Sequence, residues 1–164
     1  MSQYTLLIAR LMQELTNLDR TVNRAISQLQ KARDTQDEDF YDAVALNLQK
    51  FYMGVERLSV EIAREIDQYV PSGSNWHKQI LQQMSLAHDP IRPAVLSMQT
   101  YEMLDVDYRG FRHIATHLYA FELKADRIEA LVEHLPRCHE SLKQDILTFC
   151  QYLGTLAQQT SDSP

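Results

Sequence analysis

Two long apolar seams constrain this chain more than any other feature of it. From Gln3 to about Arg33, Ile8, Leu11, Leu15, Leu18, Val22, Ala25 and Leu29 recur at alternating spacings of three and four, the pattern of a bundle helix. A polar break from Asp34 to Asp39 separates them from Phe40, Val44, Leu48, Phe51, Val55, Leu58, Ile62 and Tyr69, which repeat the seam. So short a turn between two long helices forces them antiparallel, and a helical hairpin with one apolar face follows. Pro71 and Gly73 end the second helix.

The rest of the chain reads as the cover for that face. Ser74 or Asn75 can cap a short third helix that turns Trp76, Ile80, Leu81 and Met84 inward. Trp76 reads as a packing anchor, and His77 as an exposed first-turn histidine. Pro90 and Pro93 stiffen the loop after it; Ser97 can cap a fourth helix running to about Tyr119. A fifth begins near Asp126, a plausible cap, with Ile128, Leu131, Leu135, Cys138, Leu142, Phe149 and Leu153 on its seam. Pro136 is expected to kink or break it, and the residues from Gln158 on are expected to fray. The prediction is an all-α, up-and-down antiparallel bundle of four to five main helices plus the short one. It forms a single domain over residues 1–160, with 161–164 as a disordered tail.

Composition agrees. Four glycines and five prolines in 164 residues suit helices, and the length buries a core without staples. Cys138 and Cys150 are too few for a disulfide scaffold and lack metal spacing, which points to a reducing, cytoplasmic setting. The first apolar run is interrupted by Arg10 and Glu14, so neither a signal peptide nor a membrane span is expected. Neither Glu-x-x-His, His-Glu-x-x-His nor Cys-x-x-Cys occurs. His113 and His117 have metal-compatible spacing without an obvious third ligand, so no metal and no cofactor are expected.

The chemistry concentrates in the fourth helix. Leu104, Tyr108, Phe111, Ala115 and Leu118 share its apolar side, and the opposite arc carries Arg112, His113, His117 and Tyr119. At about 100° per residue, Tyr119 returns nearly to the azimuth of Arg112. Histidine, with an ordinary pKa near 6.5, suits proton transfer; the planar fork of arginine suits two phosphate oxygens. A net charge of −6 is unusual for a nucleic-acid binder, yet residues 109–127 hold Arg109, Arg112, Lys124 and Arg127 against only Glu122 and Asp126. Asp34, Asp37, Glu38, Asp39 and Asp42 gather elsewhere, as a solvated turn. Taken alone, the same residues also permit Arg112 to pair with Asp105 or Asp107 beside merely exposed histidines.

Arg112-x-x-x-x-His117-x-Tyr119, with polar His113 after the arginine, resembles the signature of HEPN domains, and more narrowly of HepT-like ribonuclease toxins. Pro71-Ser72-Gly73-Ser74-Asn75-Trp76-His77 and Ile91-Arg92-Pro93-Ala94-Val95-Leu96 resemble a subgroup of these toxins, in the same order. The resemblance implies a homodimer whose two signatures face one cleft. There His117 is the acid–base residue, Arg112 the phosphate clamp and His113 the tuning residue. Arg109, Lys124 and Arg127 would contact RNA, with transfer RNA the family-style substrate. It further implies a minimal nucleotidyltransferase (MNT) antitoxin that transfers AMP to Tyr119. A non-catalytic HEPN module that binds a nucleotide, or a nucleotidyltransferase partner, through the same arc is the alternative.

Overall fold

The computed structural model describes residues 3–119 and 122–161. Among them every regular element is a helix: α1 (Gln3–Thr35), α2 (Asp39–Ile62), α3 (Trp76–Ser85), α4 (Met98–Met103), α5 (Gly110–His117) and α6 (Ala125–Ser161). Two wide π-helical segments interrupt the pattern. Ala63–Asp67 continues α2, and Leu104–Arg109 joins α4 to α5, so that 98–117 is one continuous helical stretch.

The hairpin forms as its seams require. Arg10 meets Glu61, Glu14 meets Arg57, and Gln28 meets Asn47, pairings that fix α1 and α2 antiparallel. Leu11, Leu15, Leu18, Leu48, Phe51 and Leu58 are buried between them. Gly54 faces α1 closely: a Cβ there would lie 2.5 Å from Leu18 Cδ2, so any side chain would require the buried Leu18 to shift. α6 lies antiparallel to α1, with Asp19 against His139 and Arg33 against Glu133, and antiparallel to the fourth stretch, with Thr100 against Ser141. The buried Tyr108 closes the same interface by donating from its hydroxyl to the Leu131 carbonyl at 2.8 Å. The bundle is all-α and up-and-down.

Several boundaries differ from the sequence reading. The α-helical part of α2 stops at Ile62 instead of reaching Tyr69. The π turn and a left-handed Gln68 (φ 56°) swing Tyr69 off the seam, and it is 64% exposed. α6 is unbroken through Pro136, although proline lacks the amide that would bond the Val132 carbonyl. Burial of Val132, Leu135 and Cys138 on the face around it supplies packing that outweighs the lost bond. Asp126 lies in the first turn of α6 rather than capping it, and the helix continues through Gln158 to Ser161; residues 162–164 lie outside the described ones. Ser97 caps α4 as expected, accepting from the Thr100 amide, whereas Asn75 holds the cap position of α3 without a side-chain bond.

Candidate functional site

α5 is placed by its apolar side. Leu104, Tyr108 and Phe111 are buried and Ala115 packs on the core, which leaves Arg112, His113 and His117 on the outward side. The wide turn at Leu104–Arg109 stands directly before them, the kind of helical defect that recurs at functional sites.

The two histidines stack, ring centroids 4.4 Å apart and tilted by 38°. His117 Nδ1 lies 2.7 Å from the His113 carbonyl oxygen. A carbonyl can only accept, so Nδ1 carries the proton and Nε2 of the neutral ring holds the lone pair. The backbone thereby selects the tautomer in which Nε2 can take a proton.

Arg112 turns to a carboxylate that sequence reasoning did not single out. Its Nε lies 3.3 Å from Glu56 Oε1, and the Glu56 side chain is only 7% exposed. Nε is buried without a hydrogen bond of good geometry, while the Arg112 side chain keeps 22% of its surface exposed. The pairing with Asp105 or Asp107 that the sequence permits is not made by Arg112; Asp105 instead holds Arg109, Nε to Oδ1 at 2.6 Å. The other oxygen of Glu56 contacts His77 Nδ1. His77 is therefore a half-buried partner, not the exposed residue expected, and Trp76 lies against its ring at 3.9 Å. His77 lies in the Pro71–His77 stretch that carries the resemblance, without a role of its own there. Glu56 carries no motif signal, yet it falls one residue beyond Val55 on the buried side of α2, an unusual position for a glutamate. The Tyr52 hydroxyl, one turn before Glu56, is buried without a partner; burial and then the Glu56 charge push its pKa well above the ordinary phenol value.

Arg112, Glu56 and Trp76 share the wall of a groove of 640 Å³ between α1 and α2, with Arg10, Met53 and Arg57 among its other walls. Tyr119 differs most from the sequence reading. α5 ends at His117, because Leu118 is extended (φ −107°, ψ 151°), so Tyr119 does not return to the azimuth of Arg112. Leu118, expected in the core, is 41% exposed, and Tyr119 is 72% exposed just past the helix end. Of the remaining expected cations, Lys124 and Arg127 are exposed on either side of the start of α6. Among the described residues no three His, Cys, Asp or Glu side chains are grouped as a metal would need, and no helix is long and apolar enough to cross a membrane.

Residues 43–153 match the family model described as HepT-like protein, more than half of the chain. The chain belongs to the HepT-like family of HEPN toxins. No curated protein and no solved structure matches it. The family is one of generally nuclease-like components of toxin–antitoxin modules, and the matched span contains every element of the site, from Glu56 to Arg127.

Proposed function

We propose that this HepT-like chain is an endoribonuclease toxin that cleaves RNA without a metal, transfer RNA being the expected substrate. RNA carries its own nucleophile, the 2′-hydroxyl beside the scissile phosphate. His117, its Nδ1 proton held on the His113 carbonyl, accepts the hydroxyl proton at Nε2. The 2′-oxygen then bonds to phosphorus and the 5′-oxygen leaves with a proton, giving a 2′,3′-cyclic phosphate and a 5′-hydroxyl. Arg112 neutralises the charge that builds on the phosphate oxygens, and His113 stacks on His117 to orient it. Arg109, Lys124 and Arg127 extend the positive surface for the RNA backbone. The observation that carries this reading is the pair of stacked imidazoles with a fixed tautomer, one residue from a partly exposed arginine.

A homodimer with the two α5 faces sharing one cleft supplies a second histidine as the acid. Val106 and Leu118, 71% and 41% exposed beside those faces, are suited to such an interface. The antitoxin in this reading is a minimal nucleotidyltransferase. The Tyr119 hydroxyl attacks the α-phosphorus of ATP, pyrophosphate leaves, the phenolic proton passes to solvent, and AMP on the exposed ring closes the cleft.

The deciding experiment incubates purified protein with total RNA and a chelator, with His117→Ala as control. Cleavage by wild type alone, giving cyclic-phosphate ends, supports the reading; equal cleavage by His117→Ala sinks it. Intact-mass measurement after incubation with the partner enzyme and ATP should show added AMP on wild type and none on Tyr119→Phe. A second reading, a non-catalytic module that binds a nucleotide or the partner enzyme, is favoured by one observation: Arg112 already faces a carboxylate. Wild-type protein inert on every RNA but retaining nucleotide or the partner would select it.

A further inference from the structure

A carboxylate buried to the degree of Glu56 costs several kcal/mol unless its oxygens are partnered. Here each oxygen has one partner, and the partners come from different elements: Arg112 on α5 at Oε1 and His77 on α3 at Oε2. We propose that Glu56 is the positioning residue of the site, and that it recruits His77 beside Arg112 as a second proton-transfer group of the same chain; this rests on the ribonuclease reading above.

A carboxylate oxygen facing a ring nitrogen accepts, so the contact keeps a proton on His77 Nδ1 and leaves Nε2 as the nitrogen not tied to Glu56. His117 is arranged identically, its Nδ1 tied to a carbonyl. One chain thus presents two imidazoles with the same nitrogen tied and the same nitrogen left for chemistry. The carboxylate that orients one of them also faces the arginine assigned to the phosphate. Trp76, its ring centroid 3.9 Å from that of His77, lines the groove together with Glu56, the carboxylate that holds His77, and Arg112, the arginine it faces. The His77 side chain keeps 23% of its surface exposed, so the ring is not sealed in the core. A carboxylate holding one imidazole nitrogen so that the other can act is a general device for fixing tautomer and direction.

The test separates this role from a simple pin between α2 and α3. His77→Asn keeps a side-chain N–H near the position of Nδ1 and can still donate to Glu56, but it has nothing at Nε2. Glu56→Gln keeps the shape, yet its amide can accept from only one of the two partners. On a fluorogenic RNA oligonucleotide with chelator present, His77→Asn should lose about a hundredfold in kcat with KM little changed and with unaltered melting. Glu56→Gln should lose on the order of tenfold or more in kcat. In the RNA-free protein, imidazole ¹⁵N shifts should show His77 as the Nδ1–H tautomer in wild type and a mixture in Glu56→Gln. Wild-type kcat in His77→Asn overturns the proton-transfer role and leaves a structural pin. An unchanged His77 tautomer in Glu56→Gln overturns the positioning role. If wild type cleaves no RNA at all, the ribonuclease reading fails and the His77 role fails with it, while the ¹⁵N shifts still decide whether Glu56 holds the ring.

Discussion

Two arginines in this chain face buried carboxylates, and they are built to opposite ends. Arg92 is 1% exposed and Asp67 2%. Its Nε and one Nη bond the two Asp67 oxygens at 2.6 and 2.7 Å, and its remaining donors reach the carbonyls of Leu86, Pro93 and Gln83 at 2.9, 3.0 and 3.1 Å. All five guanidinium donors are used, and the loop after α3 is locked to the end of α2. Arg112 has its single described ion-pair partner at 3.3 Å, an Nε with no well-formed hydrogen bond, and a fifth of its side chain exposed. The first arrangement has no capacity left for a ligand. The second is held in place but unfinished, and a phosphate could complete it.

The largest expected effect tests the closed half. Arg92→Ala strips a fully bonded partner from a buried carboxylate and should cost about 3–5 kcal/mol of stability, read by urea denaturation. A loss below about 1 kcal/mol would mean that the network is decorative and that the contrast with Arg112 has no energetic content. The next effect tests the open half. Arg112→Ala and His117→Ala should each lower RNA cleavage by about a hundredfold or more. His117→Ala should change stability by less than about 1 kcal/mol, and Arg112→Ala, which leaves one oxygen of Glu56 without its partner, should cost less than Arg92→Ala. Glu56 keeps His77 as a partner when Arg112 is gone, and His117 is an exposed side chain at the end of α5. If Arg112→Ala unfolds the protein instead, Arg112 belongs with Arg92 and the site assignment needs another phosphate clamp.

The fold was legible because its signal is repeated. Each of the seams over α1, α2 and α6 supplies seven or more apolar positions, and a single aberrant residue such as Pro136 cannot override their summed burial. Helix ends were less legible. Tyr69 and Tyr119 both continue a seam or arc on paper, yet Gln68 turns left-handed and Leu118 extends, which no residue there announces. The site was legible only along one helix. Arg112, His113 and His117 lie within six residues, whereas Glu56 and His77 join them through tertiary packing from 56 and 35 positions upstream of Arg112. Glu56 was readable in principle, as a charge next to a core position; its partners were not.

A smaller effect follows from Asp67. Burial by itself raises its pKa, but the hydrogen bonds from Arg92 and Gln83 and the Arg92 charge outweigh it and hold the carboxyl below the ordinary aspartate value. Stability from this group is thus fully present above about pH 3.9 and is lost as pH falls through the lower folded-state value. In Arg92→Ala the largest part of that compensation is gone while burial remains and only Gln83 and His88 still face the carboxyl, so protonation harms that variant less than wild type. The stability gap between wild type and Arg92→Ala should therefore narrow on acidification below about pH 4, measured by denaturant midpoints across the range. A constant gap would show that packing of the guanidinium, not its charge, carries the effect.

The smallest expected effect is none at all, and it extends the contrast to the thiols. Burial pushes Cys150 up to about 11 and Cys138 to about 12, the latter also raised by the Asp107 charge. Both are free and both lie in the core on α6, Cys138 within one helical turn of Pro136 and Cys150 between Phe149 and Leu153. A thiol must reach solvent as thiolate to react, so neither should be alkylated by iodoacetamide in the native protein at neutral pH, and both should react fully in urea. Native-state labelling of Cys138 would be the informative exception. It would show that α6 opens around Pro136, where the helix lacks one backbone bond, and that the scaffold under Tyr108 and the site is looser than the closed Arg92 network beside α3.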